Sequence, residues 1–253
     1  MDALSNGWTW VRMSYRLFSK NPFGLSLMFM TMVLSLVLCV VVPLLGQIAA
    51  FILMPVFAMS MMQSCRQVDL GEACSLQNFF SVFRSASFKT LCLLGVVQTV
   101  GLICSLGLTM LVDGGALLDL FRHPEILQSK DGLPPTILMS GLMMRLFDLP
   151  FTLVLWFAPP LIAWQDMALG KAMFYSAVSV WRNRRGFFAY FLSWLAIFLG
   201  IPLLLSSIAS LTGVASILTA FALPLMLMLT VLANCSFYVM YQAVFENREG
   251  PSL

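Results

Sequence analysis

The chain has 253 residues, of which 60% are hydrophobic and only 10% charged, with a formal net charge of +3. A soluble domain carries about 25% charged residues, so this composition excludes a water-soluble globule. Apolar runs of about 20 residues without charge recur along the whole length, the mark of a polytopic α-helical membrane protein. Lipid accepts helices or closed barrels only, because unpaired backbone groups are too costly there. The alternation expected of barrel strands is absent, which leaves an all-α bundle.

Residues 1–22 lead in. Leu4, Trp8, Val11, Tyr15 and Phe18 recur at steps of three and four, while Arg12, Arg16 and Ser19 fall elsewhere. That pattern predicts an amphipathic helix suited to the headgroup layer. Asn21-Pro22 should end it, since the residue before proline avoids the helical region. The first span is expected over 23–42. It is read as retained rather than as a signal peptide, because Val40-Val41-Val42 and Pro43 replace a small-residue cleavage site. Residues 23–253 are expected to form a single transmembrane bundle.

The second span follows Pro43 and runs to about residue 63. A polar stretch and a first elbow cover 64–89, and the third span covers 90–112. Asp113 to Pro135 is the one conspicuously hydrophilic loop, with Asp119, Arg122, His123, Glu125, Lys130 and Asp131. The fourth helix, 137–165, should bend near Pro150 and Pro159-Pro160. A second elbow covers 166–186, and the fifth and sixth spans cover 187–209 and 214–243.

The two elbows echo each other. Gly71-Glu72-Ala73 matches Gly170-Lys171-Ala172, and Ser81-Val82-Phe83-Arg84 matches Ser179-Val180-Trp181-Arg182. Leu76, Phe79, Phe80 and Phe83 stand at i, i+3, i+4 and i+7, as do Phe174, Ala177, Val178 and Trp181, so each elbow reads as a helix with one apolar face. Ser176, Ser179 and Arg182 are expected on the face opposite the second stripe. Both elbows link consecutive spans on one side of the membrane. Residues 44–112 and 137–209 are therefore candidate parallel repeats about an axis along the membrane normal.

Orientation follows from Lys and Arg. With the N-terminus inside, eleven of the fourteen fall on the cytoplasmic side and three, Arg122, Lys130 and Arg145, on the other. That bias places both termini in the cytoplasm.

Polar residues within spans are functional candidates. Arg145 and Asp148 stand three apart, within reach on one helical turn. Gln98 and Asn234 are uncharged polar residues at depth, suited to interhelical hydrogen bonding. Asp166 is placed to cap the second elbow, and Asn183 to end it. Cys65 and Cys74 are expected in a loop, and all six cysteines are expected as free thiols. His123 stands alone, with no partners spaced for a metal. No nucleophile elbow, phosphate loop or zinc-protease helix appears. The expectation is a protein with no catalytic residue, cofactor or metal.

Three stretches, Gly7 to Pro22 ("GWTWVRMSYRLFSKNP"), Cys65 to Glu72 ("CRQVDLGE") and Leu169 to Asn183 ("LGKAMFYSAVSVWRN"), carry a resemblance. The chain resembles poorly characterised proteobacterial inner-membrane proteins, among them the YciC-like family and the membrane domains fused to some glycerophosphodiester phosphodiesterases. The resemblance implies an N-terminal interfacial helix, about six spans and residence in the bacterial inner membrane. It carries over no catalytic residue.

Two functions follow as expectations. The first is a non-enzymatic membrane protein that docks a partner protein or organises lipid through Arg84, Lys89, Trp181, Arg182, Arg184 and Arg185 on its cytoplasmic elbows. Anionic phospholipid, a membrane protein or a cytoplasmic protein would be the partner, and nucleic acid would not. The second is a small transporter or lipid-handling protein with its path between the two repeats.

Overall fold

The computed structural model describes residues 3–117, 134–212 and 215–246. His123, its neighbours in the hydrophilic loop, and Arg248 lie outside the described residues. The described chain is helical, with no strand. In order it forms α1 (Ala3–Lys20), α2 (Pro22–Val40), α3 (Leu45–Asp69), α4 (Leu76–Phe79) running into a 3-10 turn (Phe80–Arg84), and α5 (Phe88–Asp113). Then come α6 (Pro135–Leu155), α7 (Ala158–Gln165), α8 (Leu169–Arg182), α9 (Arg184–Thr212), α10 (Ala215–Tyr241) and a π turn (Gln242–Glu246). Six segments are long and apolar enough to cross a membrane: α2, α3, α5, α6 with α7, α9, and α10 with its π turn.

Local chemistry sets the boundaries. Asn21 ends α1 and starts α2: its Oδ1 accepts the Gly24 N–H at 2.9 Å, and Pro22 takes the first helical position, where no N–H is needed. Gly71, at φ 80°, turns the chain out of α3 in the left-handed region that glycine enters freely. The fourth span does break, at Trp156-Phe157, and Pro159-Pro160 open α7 where missing amides cost nothing. Pro150 is accommodated within α6.

Packing is concentrated at the end of the bundle that carries the basic residues. The buried positions are Leu25, Met28 and Phe29 at the start of α2, Val56 to Val68 at the end of α3, and Leu91 and Leu94 at the start of α5. Phe187, Ala189, Tyr190 and Trp194 on α9, and Leu229, Val231, Leu232, Cys235 and Tyr238 to Tyr241 on α10, complete this core. Toward the opposite end, Leu34, Leu38, Val41, Ile103, Leu111, Leu199, Leu203 and Leu204 are exposed. Such surface belongs against acyl chains.

The N-terminal helix is seated on protein. α1 packs against α9, α10 and α3. Trp10, Val11, Ser14, Leu17 and Phe18 face inward. Trp8 and Tyr15, expected on the apolar face, are 57% and 58% exposed. A Cβ on Gly7 would stand 2.5 Å from the Tyr190 amide nitrogen, so α1 meets α9 at backbone distance there. Trp10 packs edge-on to Phe187, ring centroids 5.7 Å apart.

The proposed repeats differ in build. α3 and α5 pack along their length, and a Cβ on Gly95 would come within 2.0 Å of the Ile52 carbonyl oxygen. The corresponding pair, α6 and α9, does not pack in this way. Their contact is a side-chain cluster, with Trp156 against Phe187, Tyr190 and Phe191. Gly71 is a left-handed helix stop, whereas Gly170 lies inside the first turn of α8. The shared letters serve different backbone roles.

Candidate functional site

The basic end of the bundle gathers the two elbows and a polar seam between spans. The first elbow departs from the expected helix. Only Leu76–Phe79 is α-helical; Phe80–Arg84 tightens to a 3-10 turn. Phe79 and Val82 are buried, Phe83 is half-buried against Phe57 and Phe88, and Leu76 and Phe80 are exposed. Three residues per turn bring i and i+3 into line, which breaks the i+4 and i+7 steps of the expected stripe. The Ser75 Oγ accepts the Asn78 N–H at 3.4 Å, starting the turn. Leu76, Gln77, Asn78, Phe80, Ser81 and Arg84 line a shallow hollow of about 490 Å³ on the outer side. Arg84 and Lys89 are exposed.

The second elbow is a full helix, α8. Its expected apolar stripe points away from the bundle: Phe174 is 66% exposed and Trp181 72%. Ala172, Ser176 and Val180 are the residues that face inward. Ser176, expected on the outer polar face, is fully buried, and its Oγ accepts the Phe157 N–H at 2.9 Å. That amide is orphaned by the break between α6 and α7, so Ser176 repairs the break. Lys171, Tyr175 and Arg182 flank the exposed stripe, with the Lys171 ammonium 5.9 Å from the Tyr175 ring centre. The Arg184 guanidinium lies 5.6 Å from the Trp181 ring centre and donates to the Trp181 carbonyl at 3.3 Å. Arg182 and Arg185 are exposed.

Asp166 does not cap α8. It sits in the left-handed region, φ 47°, and ends α7; the residue before α8 is Ala168, without a side-chain cap. Asn183 ends α8 at φ −101°, and its Nδ2 donates to the Ser179 carbonyl at 2.9 Å.

The span polars separate. No ion pair joins Arg145 to Asp148; the Thr152 hydroxyl donates to Asp148 at 3.0 Å instead, and Arg145 is exposed. Asn234 is half-buried and donates to the Thr230 carbonyl at 2.9 Å, a bond inside its own helix. Gln98 is exposed, although Leu91, Leu94, Gly101 and Ser105, on the same face of α5, are buried.

A polar seam, unanticipated from the sequence, ties α1, α3, α7 and α10 together. The Lys20 ammonium pairs with Asp69 Oδ1 at 2.7 Å and reaches the Asp69 carbonyl at 3.3 Å. Asp69 Oδ2 accepts the Tyr238 hydroxyl at 3.2 Å and Gln242 Nε2 at 3.1 Å. Trp164 Nε1 donates to Gln63 at 3.1 Å, Gln165 donates to the Tyr241 hydroxyl at 3.0 Å, and the Arg66 guanidinium lies 5.1 Å from the Trp164 ring centre. The one local sign of it was an acid, Asp69, on the side dominated by cations. Its partners lie 49, 169 and 173 residues away.

Cys65 lies inside α3 rather than in a loop, buried as a thiol 3.5 Å from the Cys235 sulfur. Cys74 is in the connection after α3, where burial pushes its thiol up, away from the thiolate a metal site needs.

The chain is 30% identical, over 257 aligned positions, to the probable inner membrane protein BTH_II0599 of Burkholderia thailandensis, an alignment covering 98% of this chain and 93% of the relative. The chain belongs to this family of inner membrane proteins. Membership agrees with the six apolar segments and settles residence in an inner membrane. No protein-family model and no solved structure matches the chain.

Proposed function

We propose that this family member is a non-enzymatic organiser of anionic phospholipid at the cytoplasmic face of the inner membrane, working through its elbows. The observation that carries the reading is α8. It turns Phe174, Val178 and Trp181 away from the protein, with Lys171 and Arg182 beside them. A helix outside the spans with one face on protein and an aromatic face left open suits the layer where acyl chains meet headgroups. A basic side chain near an anionic leaflet contributes about 1 kcal/mol. The hollow at Gln77, Asn78, Ser81 and Arg84 adds hydrogen-bond donors at the same level. Cytoplasmic termini belong to this reading and rest on the eleven-to-three charge bias. The finer likeness, to YciC-like proteins and phosphodiesterase membrane domains, is part of the same proposal and rests on the three quoted stretches.

The test changes Arg84 and Arg182 to glutamine together, leaving other cations to hold orientation. Cysteines placed at Ser129 and Ser252 in a cysteine-free background report topology; an impermeant thiol reagent on spheroplasts should label 129 alone. With topology intact, the double variant should retain less phosphatidylglycerol through purification. Unchanged lipid retention overturns the reading. A pull-down lost in the same variant with lipid unchanged converts it to protein docking.

Gln98 favours a second reading, a path for an amphiphilic molecule through the bundle. It is exposed where Leu91, Leu94, Gly101 and Ser105 on the same face of α5 are buried, which supports a polar approach to the bundle at mid-span. A cysteine at position 98 that reacts with a water-soluble thiol reagent would support that path, and one inert in bilayers would remove it.

A further inference from the structure

Away from both elbows, α1 and α9 form an open groove of about 560 Å³. Its walls are Trp8 on one side and, along α9, Leu192, Ile197, Ile201 and Leu204, with Ala189, Ala196 and Gly200 as a low floor. Ligand clefts span roughly 300–1,000 Å³. At about 1.5 Å per residue, Ala189 to Leu204 measures about 22 Å, more than the roughly 15 Å of one leaflet's hydrocarbon. The groove is therefore as long as one acyl chain of that leaflet. It is also built: the backbone-distance contact of Gly7 with Ala189 and Tyr190 fixes Trp8 over it.

One end of the groove is charged. Gly7 meets Ala189 and Tyr190, and Trp10 meets Phe187, so the two helices run antiparallel. Arg12 is one turn beyond Trp8 on its face of α1, and Arg185 is one turn before Ala189 on the groove face of α9. Antiparallel packing brings these two exposed cations to the same end, where the bundle's other cations lie. The rest of the groove is apolar but for Ser193, whose hydroxyl donates to the Ala189 carbonyl of its own helix at 2.7 Å.

We infer that this groove holds one anionic phospholipid, an acyl chain along Leu192 to Leu204 and the phosphate between Arg12 and Arg185. Trp8 lies at the level of the glycerol backbone, as aromatic side chains at membrane interfaces do. A small-residue floor would also admit a helix from a second copy. The two arginines at one mouth favour a headgroup, because a spanning helix there would set apolar side chains against charge. The inference shares the lipid class of the elbow proposal and one of its cations, Arg185, but the acyl-chain groove from Ala189 to Leu204 is a different site.

The test uses the full-length protein, delipidated in detergent and titrated with phosphatidylglycerol or phosphatidylcholine under native mass spectrometry. Gly200→Trp fills the groove without a backbone clash, since nothing lies within 4 Å of a Cβ there. Ala196→Leu is the milder second filling variant, and far-ultraviolet circular dichroism checks that each is folded. Phosphatidylglycerol should bind as one tight equivalent that either filling variant loses. Arg12→Gln with Arg185→Gln should weaken it roughly thirtyfold while leaving phosphatidylcholine binding unchanged. The Arg84→Gln, Arg182→Gln elbow variant should keep this equivalent, which separates the groove from the elbow proposal. Tight binding that survives folded filling variants overturns the inference. So does a wild-type dimer that the filling variants convert to monomer, which would make the groove a helix-docking face.

Discussion

The basic half of this bundle and the opposite half are made of the same apolar residues and do different work. In the basic half, α1, α3, α7, α9 and α10 meet at Gly7, at Cys65 with Cys235, and through the Asp69 seam. In the other half, α9 beyond Leu195 and α2 beyond Leu34 turn leucine and valine outward. Lipid tails are as apolar as leucine, so hydrophobicity does not draw helices together inside a membrane. Close approach of small residues and hydrogen bonds do. The tight half is tight where those features stand.

Glycine gives the sharpest way to break this contrast, because α5 carries Gly95 in the basic half and Gly107 in the other, on either side of Gly101 at mid-helix. Gly95 faces the Ile52 carbonyl, whereas Gly107 has nothing within 4 Å of a Cβ. Gly95→Val should lower stability in detergent by about 3 kcal/mol or more, since backbone must move. Gly107→Val should stay within about 0.5 kcal/mol. Equal losses in paired denaturation curves would end the comparison.

Next in size is the repaired break. Ser176→Val leaves the buried Phe157 amide without its acceptor and should cost about 1–3 kcal/mol. Ser81, exposed on the first elbow, donates to a carbonyl within its own turn, and Ser81→Ala should cost under about 0.5 kcal/mol. A cost at position 81 that matches that at 176 would mean the first elbow is packed as tightly as the second.

The latch on α1 is smaller. Lys20 and Asp69 are 50% and 32% exposed, so Lys20→Met should cost no more than about 1 kcal/mol, and less in high salt. Its cost should vanish when Asp69 is already asparagine. Smallest of all is Arg145 with Asp148. Separated as they are, their charge reversals should add, leaving a coupling within about 0.5 kcal/mol. A restoring double reversal would join them after all.

The spans were legible because a long uncharged run has few fates other than crossing lipid. The elbows' positions were legible from Gly, Arg and aromatic spacing. Which way each helix faces was not. In water an apolar stripe points to the core, but Phe174 and Trp181 share their stripe with acyl chains, and Ala172 and Ser176 hold the protein side. The same ambiguity divides α1: of its apolar stripe Val11 and Phe18 are buried and Trp8 and Tyr15 exposed, while Trp10 and Leu17, off the stripe, are buried. On α8 small residues carry the inward signal, and no hydrophobic periodicity records it. The Asp69 seam was illegible for another reason, since it joins residues from chain segments that no local pattern connects. Arg145 and Asp148 have the right spacing for a pair, but Thr152, one turn on, takes the carboxylate.

The seating of α1 has a consequence in time. Trp10 waits for Tyr190, 180 residues later, and Lys20 for an aspartate whose other partners lie near the end of α10. At about 5–20 residues per second of synthesis, roughly 10–40 s separate the first helix from its seat. For that interval the apolar face of α1 has no protein to cover it. The headgroup layer is the place where it can wait, so the first helix made is among the last to dock.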